Sequence, residues 1–322
     1  MSNIVSMLPI SVIVPTRNRA KVFARTLESL ALQKSQPADM VVVDASDGND
    51  TYELCHSDIS GLSTKIAYYR AIAKGAAVQR NQAIQHASHP YILFCDDDIL
   101  FEPDCIAEMW QALSQDSTLG GVCTLITNCH YTAPGRFSKA IFHFLNGHAE
   151  ESYAGKCIGP VMNLLPEDRE DLPTVVPVEW MNSTCTLYRR EAMPDPPFPS
   201  NFVGYSLMED VTLSLQVGKR WKLANVRTAK IFHDSQPGDH KNDPAVLAKM
   251  DLVNRYYVMT QVLERNRPGD YFKLLVQQLF NLAASLQSWQ GWAALPRVLL
   301  AKLNGVFEIL TTQQSTAQQP QS

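Results

Sequence analysis

The 322-residue chain carries 28 basic and 32 acidic residues, a formal net charge of −4, and 45% of its residues are hydrophobic. This balance is typical of a globular protein with a sizeable core, and it excludes a broad basic surface for nucleic acid. The seven cysteines include no CxxC pair, which argues against a disulfide framework or a structural zinc site and favours a reducing cytoplasm.

The first residues, MSNIVSMLPISVIVPTRNRA, lack a basic start and a small-residue cleavage site, so we do not expect a signal peptide. The apolar run 10–14 is too short to span a bilayer, which needs about 20 residues, and no other segment qualifies. These observations predict a cytoplasmic protein.

Short apolar runs alternate with helical patterns along the first part of the chain. They predict strands over 10–14, 40–43, 66–69 and 91–95, and helices over 20–34, 76–87 and 103–115. This alternation implies a largely parallel sheet with right-handed crossovers. Thr16, Asp44 and the aspartates at 96–98 then follow the carboxyl ends of strands, which is the edge where open α/β sheets bind ligands.

The second part of the chain changes in character. Residues 127–178 are less regular and are interpreted as an insertion or acceptor-side loop region, with a helix near 137–145. A strand over 179–189, a helix over 208–220 and a strand over 226–232 follow. Residues 245–310 are helical, with Pro268 and Pro296 as breaks. We therefore predict an α/β catalytic domain over 1–240, a helical extension over 241–310 and a disordered tail over 311–322.

The run Asp96-Asp97-Asp98 is the most specific chemical feature of the sequence. Three adjacent carboxylates repel one another unless a cation or hydrogen-bond donors lie among them. Alternate residues of an extended strand end point the same way, so Asp96 and Asp98 could share a hard metal ion while Asp97 faces elsewhere. The alternative is a solvated acidic turn before the helix that opens with Pro103.

Further candidate residues each have a structural alternative. His233 could complete the metal coordination as a neutral imidazole, or be a satisfied structural histidine. Glu209 or Asp210 could be the general base for an acceptor hydroxyl, or could complement a helix N-terminus. Arg80 could hold a phosphate or lie at the surface, and Trp180 could stack on a sugar or belong to the core.

The chain resembles family-2 glycosyltransferases over roughly residues 8–235. The resemblance rests on the ordered segments ISVIVPTRNRAKVFARTLESLALQ, MVVVDASDGND, AVQRNQAI, YILFCDDDILFEPDCIAEM, VEWMNSTCTLYRREAM, GYSLMEDVTLSLQVGKRWKL and IFHD. It implies the GT-A fold, a mixed and mainly parallel sheet flanked by helices, together with a nucleotide-diphosphate sugar donor and an inverting mechanism.

The resemblance also implies roles for the candidate residues. In the family, a DxD motif holds the ribose and the metal–diphosphate, and the aspartate of an ED pair is the usual general base. A late histidine contacts the metal or the diphosphate. With the patterns above, this predicts catalytic residues Asp210 and Glu209, and a Mn²⁺ or Mg²⁺ site at Asp98 and His233. The predicted donor-binding residues are Pro15, Thr16, Arg17, Asp44, Arg80, Asp96, Asp97 and Trp180.

The expected partners are a nucleotide-diphosphate sugar and a glycan or lipid-linked acceptor, and the usual family setting is surface polysaccharide or glycolipid assembly. The segment DASDGND departs from the run that follows the base-contacting aspartate in many members, so uridine, thymidine and guanosine donors all stay open. No QxxRW motif is present, which argues against a processive synthase.

Two alternatives to this function stay open from the sequence, a nucleotidyltransferase-like enzyme and a non-catalytic nucleotide-sugar-binding protein. The apolar helical faces over 271–286 and 295–310 also have two interpretations. They pack on the catalytic domain or on each other, or part of this surface rests peripherally on the inner membrane face.

Overall fold

The computed structural model describes residues 5–146, 152–202, 204, 207–236 and 243–317. Contacts within the chain divide it into two units, each built from separate segments. The first unit contains residues 1–133, 152–157 and 163–236, and the second contains 134–151, 158–162 and 237–322. The boundary predicted at residue 240 lies close to residue 236, where the first unit ends. The helix predicted near 137–145, in contrast, belongs to the second unit.

A mixed β-sheet forms the centre of the first unit. In chain order its strands are β1 (Ser6–Thr16), β2 (Ser35–Asp44), β3 (Lys65–Arg70), β4 (Tyr91–Cys95), β5 (Ile99–Phe101) and β6 (Leu119–Ile126). A short two-stranded ribbon, β7 (Cys157–Ile158) and β8 (Met162–Asn163), separates these from β9 (Val175–Val178), β10 (Cys185–Arg189) and β11 (Lys222–His233).

The order of the strands within the described residues is β3-β2-β1-β4-β10-β6-β11-β5, with β9 also paired to β11. β5, β9 and β10 run antiparallel to their neighbours, and the other strands of this sheet share one direction. The sheet is therefore mixed and mainly parallel, as the fold prediction states. β1, β2 and β4 are nearly continuous apolar runs because both faces of this region are covered.

The helices complete the two units. In chain order they are α1 (Ala20–Ala31), α2 (Asp50–Cys55), α3 (Ala76–Ile84), α4 (Cys105–Gln115), α5 (Arg136–Asn146), α6 (Glu209–Val217), α7 (Pro244–Tyr257), α8 (Pro268–Ser285) and α9 (Trp289–Ala317). α1 shows why the pattern predicts them: Phe23, Leu27 and Leu30 recur at helical spacing, and all three are fully buried in the main core.

Two neighbouring strand ends position the polar residues of the first unit. Thr16, the last residue of β1, lies beside Asp44, the last residue of β2. β5 pairs with β11 in an antiparallel register that sets Ile99 opposite His233. This pairing brings the residue before β5, Asp98, next to the end of β11.

Several predicted elements differ from the structure in extent. The strand predicted over 179–189 forms only over 185–189, because the N–H of Met181 donates to Ser214 Oγ at 2.9 Å instead of to a strand. The helix predicted from residue 103 begins at Cys105, because Asp104 has a left-handed φ of 60°. β6 has no counterpart among the predicted strands.

Two predictions about the C-terminal helices need correction. Pro268 begins α8, but Pro296 lies inside α9 and does not end it. Pro296 lacks the backbone N–H that a helical residue donates to the carbonyl four residues earlier, so α9 continues past it with one helical hydrogen bond fewer. α9 continues to Ala317, so the segment 311–317 is helical, and residues 318–322 lie outside the described part of the chain.

α8 buries two glutamines together with Leu274, and it exposes several other large apolar side chains. Gln277 and Gln278 are buried, and Gln278 donates to Asp251 Oδ2 at 3.0 Å. Phe272 and Leu275, in contrast, are more than half exposed. Among the described helices, none has the length and apolar character needed to cross a membrane.

α9 also exposes a continuous apolar stripe. On a helix with 100° per residue, eight exposed apolar side chains fall on one side. They are Trp289, Trp292, Leu299, Leu300, Leu303, Val306, Phe307 and Leu310. The opposite side of α9 carries the buried Val298 and Gly305.

Candidate functional site

The loops that follow β1 and β2 are joined by reciprocal hydrogen bonds. Asn18 Nδ2 donates to Asp47 Oδ2 at 3.0 Å, and the N–H of Asp47 donates to Asn18 Oδ1 at 2.9 Å. The N–H of Asn18 also donates to Ser46 Oγ at 2.6 Å. Asn18 has a φ of 55°, a conformation that asparagine tolerates better than most residues. The two loops therefore form one fixed wall at the edge of the sheet.

Asp44 lies at the base of this wall and is 1% exposed. Its Oδ1 accepts from the N–H of Ser46 at 2.8 Å and from the Ser46 hydroxyl. Its Oδ2 accepts from Tyr68 Oη at 2.9 Å and from Arg70 Nη1 at 3.4 Å. The Asp44 carboxylate is thus held in a defined orientation by donors on both of its oxygens.

Asp97 is 4% exposed and is held by residues at the end of β1 and in α1 and the loop before it. Its Oδ2 accepts from Thr16 Oγ1 at 2.6 Å, and its Oδ1 lies 3.2 Å from Arg19 Nη1. The Thr26 hydroxyl donates to its backbone carbonyl at 2.9 Å. Burial raises the pKa of Asp97 to about 6, although the Thr16 hydroxyl and Arg19 favour the ionised form. Its contacts anchor the acidic loop to β1 and α1.

Asp96, Asp98 and His233 come together although His233 lies 135 residues beyond Asp98 in the chain. One ligand atom from each lies within 4.8 Å of the others, and His233 Nε2 is 3.2 Å from Asp98 Oδ1. Two carboxylates and an imidazole suit a divalent ion such as Mn²⁺ or Mg²⁺, and three ligands leave positions for phosphate oxygens. These residues therefore fit the predicted cation.

The charge on Asp98 is stabilised before any ion binds. Burial opposes ionisation, but the hydrogen bond with His233 and the positive charge of Arg19 outweigh it and hold the pKa of Asp98 below its usual range. Arg19 Nη1 lies 3.2 Å from Asp98 Oδ2, and the N–H of Gln236 donates to the same oxygen at 3.4 Å. The carboxylate is therefore available as a ligand at neutral pH.

Arg80 is 3% exposed and lies between two acidic groups. Its Nη2 donates to Asp96 Oδ1 at 2.7 Å, and its Nη1 donates to Glu209 Oε1 at 3.4 Å. The structure therefore directs this arginine towards protein carboxylates. Its predicted contact with the donor stays a prediction.

Glu209 and Asp210 form the first turn of α6 and differ in protonation. Burial and the neighbouring Asp210 raise the pKa of Glu209 to about 8. Burial raises the pKa of Asp210 to about 6, and the N–H of Val211, which donates to its Oδ1 at 2.7 Å, favours its ionised form. Because burial raises both pKa values and the two groups repel each other's charge, the pair holds a proton in common near neutral pH, and the N–H of Val211 favours Asp210 as the ionised member, the state that a general base requires.

Three of the predicted donor-binding residues have fewer contacts at this edge. Trp180 is 4% exposed and donates its indole N–H to the carbonyl of Leu164 at 2.8 Å, so its ring is buried in this conformation. Pro15 lies within β1 beside Val43, and Arg17 is exposed in the following loop. Their predicted roles stay predictions.

The sequence analysis missed three residues that hold the site. Arg19 contacts both Asp97 and Asp98, and Tyr68 and Arg70 contact Asp44. The basic run RNR directly after β1 was a signal for Arg19, since it follows the same strand end as Thr16. Tyr68 and Arg70 belong to β3, whose neighbour in the sheet is β2.

Comparison with known sequences gives one matching family. Glycosyl transferase family 2 matches residues 11–193, which is more than half of the chain. An uncharacterized glycosyltransferase of Rickettsia conorii is 24% identical over 189 residues, which is 58% of this chain and 27% of that protein. A PGL/p-HBAD biosynthesis glycosyltransferase of Mycobacterium bovis is 25% identical over 137 residues, 41% of this chain and 54% of that protein. The matches thus span only about a quarter to a half of these relatives.

Solved structures share the fold. The mannosyltransferase PcManGT from Pyrobaculum calidifontis, in complex with GDP-Man and Mn²⁺, has a TM-score of 0.53 at 17% identity, covering 98% of this chain and 84% of its own. TarS 1–349 from S. aureus, in complex with UDP-GlcNAc, has a TM-score of 0.55 at 16% identity, covering 91% and 79%. Both likenesses concern the GT-A fold. With this fold and the family match, the chain belongs to glycosyl transferase family 2.

Proposed function

We propose that the chain is an inverting glycosyltransferase, which transfers a sugar from a nucleotide-diphosphate sugar to an acceptor hydroxyl. The observation that carries this proposal is the meeting of two acidic groups at one edge of the sheet. The candidate cation site at Asp96, Asp98 and His233 is joined through Arg80 to the acid pair at Glu209 and Asp210. A donor group and an acceptor group need this proximity for direct transfer.

The donor side follows from the fixed wall and the cation site. A nucleoside would lie against Thr16 and Arg17 with its base towards Asp44, and the diphosphate would lie towards Asp98. Mn²⁺ or Mg²⁺ bound by Asp96, Asp98 and His233 would neutralise the charge that develops on the departing diphosphate. GDP-Man with Mn²⁺ in PcManGT and UDP-GlcNAc in TarS support a donor of this class.

The acceptor side follows from the acid pair. Asp210 takes the proton of the acceptor hydroxyl as its oxygen forms a bond to the anomeric carbon. The bond from that carbon to the diphosphate oxygen breaks on the opposite face, and its electron pair leaves with the diphosphate. The anomeric configuration is inverted. Glu209, whose pKa is raised by burial and by the charge of Asp210, is better suited to hydrogen bonding than to proton removal.

For the acceptor we propose a glycan or a lipid-linked saccharide used in surface polysaccharide or glycolipid assembly. The name of the mycobacterial relative, a PGL/p-HBAD biosynthesis glycosyltransferase, supports this setting. We also propose a cytoplasmic protein that contacts the inner membrane face peripherally. The exposed apolar sides of α8 and α9 support that contact, because large exposed apolar patches mark interaction surfaces.

The test is a panel of nucleotide-diphosphate sugars, each offered with Mn²⁺, with Mg²⁺ and with a chelator. We expect cation-dependent release of the nucleoside diphosphate with at least one donor, and a product of inverted anomeric configuration by NMR. Retained configuration would contradict the inverting mechanism. Binding of a donor with no release, even with acceptors present, would support a non-catalytic binding protein. Release of the sugar 1-phosphate, with the nucleoside monophosphate transferred to the acceptor, would support a nucleotidyltransferase.

A further inference from the structure

Arg80 forms a buried link between the two halves of the proposed site. Its side chain is 4% exposed, while Asp96 and Glu209, its two partners, have side chains that are 28% and 12% exposed. The two η nitrogens each face a different carboxyl group, at 2.7 Å and 3.4 Å. A guanidinium can hold two acidic groups in this way because its donors are arranged in a rigid planar fork.

The residues on either side of Arg80 fix its position. Gln79 Nε2 donates to the carbonyls of Thr16 and Val43 at 3.0 and 2.7 Å, which fastens α3 to the ends of β1 and β2. Asn81 Nδ2 donates to the Phe198 carbonyl at 2.6 Å, and the N–H of Phe198 donates back at 3.1 Å. Three successive side chains of α3 are therefore anchored.

The ring of Phe198 limits the movement of the guanidinium. Arg80 Cζ lies 5.8 Å from the centre of this ring, which in turn packs edge-on against Phe94 of β4 with centroids 5.3 Å apart. A cation over an aromatic face is attracted to it, most strongly where water is excluded. The arginine is thus restrained on its apolar side as well as by its carboxyl partners.

From these contacts we infer that Arg80 is a positioning residue that aligns the cation-binding aspartate with the acid pair of α6. It acts through Asp96 and Glu209 and does not itself bind the donor phosphates. Holding Asp96 Oδ1 leaves the other oxygen of that carboxylate for a cation. Holding Glu209 fixes the first turn of α6 and with it Asp210. The inference rests on the proposed function, since alignment matters only if both groups take part in transfer.

The variants Arg80→Lys and Arg80→Met separate charge from geometry. Lysine keeps the charge but offers a single ammonium group that cannot span both partners, so we expect a lower kcat with little change in the dissociation constant of the donor nucleotide. Arg80→Met removes the link, and we expect kcat to fall about 10²-fold, the scale on which a misplaced catalytic group is felt. Isothermal calorimetry and steady-state kinetics give the two quantities separately.

A double-variant cycle with Glu209 tests whether Arg80 acts through that residue. Glu209→Gln retains an oxygen that can accept from Arg80, whereas Glu209→Ala does not. We expect Arg80→Met and Glu209→Ala to be non-additive, so that the double variant is little slower than the slower single variant. Additive losses, or a loss of donor affinity in Arg80→Met that dominates its loss of kcat, would show that Arg80 binds the donor directly and overturn the inference.

Arg190→Met is the matched control for a general structural effect. Arg190 is a partly buried arginine that donates to the backbone carbonyls of Ala87, at 2.7 Å, and His89, at 3.1 Å, away from the acidic groups. We expect it to lower thermal stability while kcat is kept. If no donor supports transfer, the proposed function fails. The interaction between Arg80 and Glu209 can still be measured from the nucleotide affinity and the thermal unfolding of Arg80→Met, Glu209→Ala and the double variant. Additive effects of the two substitutions on these quantities would show that the two residues act separately, and would overturn the inference about Arg80.

Discussion

Asp96, Asp97 and Asp98 follow one another in sequence but have three different sets of partners. Asp96 pairs with Arg80, Asp97 bonds Thr16, and Asp98 faces His233. The three residues form the turn between β4 and β5, and this turn gives each side chain a different direction. As a result, one residue type supplies a structural anchor and two candidate cation ligands within a single turn of chain.

Substitution of Asp98 tests the cation site. Asp98→Ala removes the carboxylate that faces His233, so we expect transfer to be lost and Mn²⁺ to give no gain in donor affinity. Calorimetry with and without Mn²⁺ measures this directly. Asp58→Ala, which removes an exposed carboxylate outside the site, is the control and should behave as wild type. A cation-dependent affinity that survives in Asp98→Ala would exclude this residue as a ligand.

Asp210 and Glu209 are distinguished by their amide variants. Asp210→Asn is expected to leave donor affinity nearly intact and to lower kcat by roughly 10²–10⁴-fold, the usual effect of losing a general base. Glu209→Gln should have a much smaller effect. The opposite pattern would exchange the two roles, and full activity in both variants would remove the support for a base in this pair.

The pH dependence of kcat follows from the same pair. A base must be ionised to accept a proton, and the pKa of Asp210 is raised to about 6. We therefore expect kcat to rise with pH through a midpoint near 6 and to fall on acidification below it. The rate profile of wild type, compared with any residual rate of Asp210→Asn, checks this. A profile in wild type that stays flat from pH 5 to 8 would contradict the assignment.

At the scale of elements, the strands with clear apolar runs could be predicted and those with mixed signals could not. β1, β2, β3 and β4 were predicted because each is a short β-rich run bounded by turn residues. β6 carries Gly120 and Gly121 directly after its first residue, and glycine is depleted in strands. These glycines serve packing: a Cβ at Gly120 would lie 2.5 Å from Trp221 Cβ, and one at Gly121 would lie 2.6 Å from Tyr188.

The site residues were predictable to the extent that they follow strands. Thr16, Asp44 and Asp98 occur at strand ends, and parallel strands bring such ends to one edge. Other contacts of the site join residues far apart in sequence: Arg80 and Glu209 are 129 residues apart, and their contact depends on how the whole fold places α3 and α6. No local pattern carries that information.

The start of α3 depends on a close approach between two glycines. Gly75 has a φ of 140°, forms a bridge with Gly204, and would place a Cβ 2.8 Å from the Gly204 nitrogen. We expect Gly75→Ala to destabilise the protein by about 1–3 kcal/mol, the scale of one strained backbone position, and to lower its Tm. Gly48→Ala, where no atom lies within 4 Å of the added carbon, is the matched control. Equal Tm values for the two variants would contradict the strain argument.

On the scale of the whole molecule, the two units differ in charge and surface. The second unit contains ten basic and eight acidic residues, and the first contains eighteen and twenty-four. The slight positive excess thus lies in the unit that exposes the apolar sides of α8 and α9. Because this excess is small, any adhesion to a membrane should be mainly apolar and resistant to salt.

Vesicle flotation tests the proposed membrane contact. We expect the wild-type protein to float with both neutral and anionic vesicles and to be released by detergent. Leu303→Glu with Phe307→Glu removes two large exposed side chains, and binding should fall at least roughly tenfold. The control adds the same charge on the polar side of α9, as Asn304→Glu with Thr311→Glu. A wild-type protein that never floats, or a control that loses binding equally, would contradict the proposal.

The reciprocal bonds between Asn18 and Asp47 have a kinetic consequence. Because these loops are already joined, a nucleoside bound as we propose would enter a surface that needs little rearrangement. Ordering one flexible side chain on binding costs about 0.5–1.5 kcal/mol, and here that ordering occurs during folding. The association rate of the donor would then be limited by diffusion and by the removal of water from the surface, and not by closure of a loop. A nucleobase whose shape does not fit this rigid wall would make fewer contacts with it. Selection between nucleotides would therefore appear as faster dissociation of the nucleotide that fits poorly.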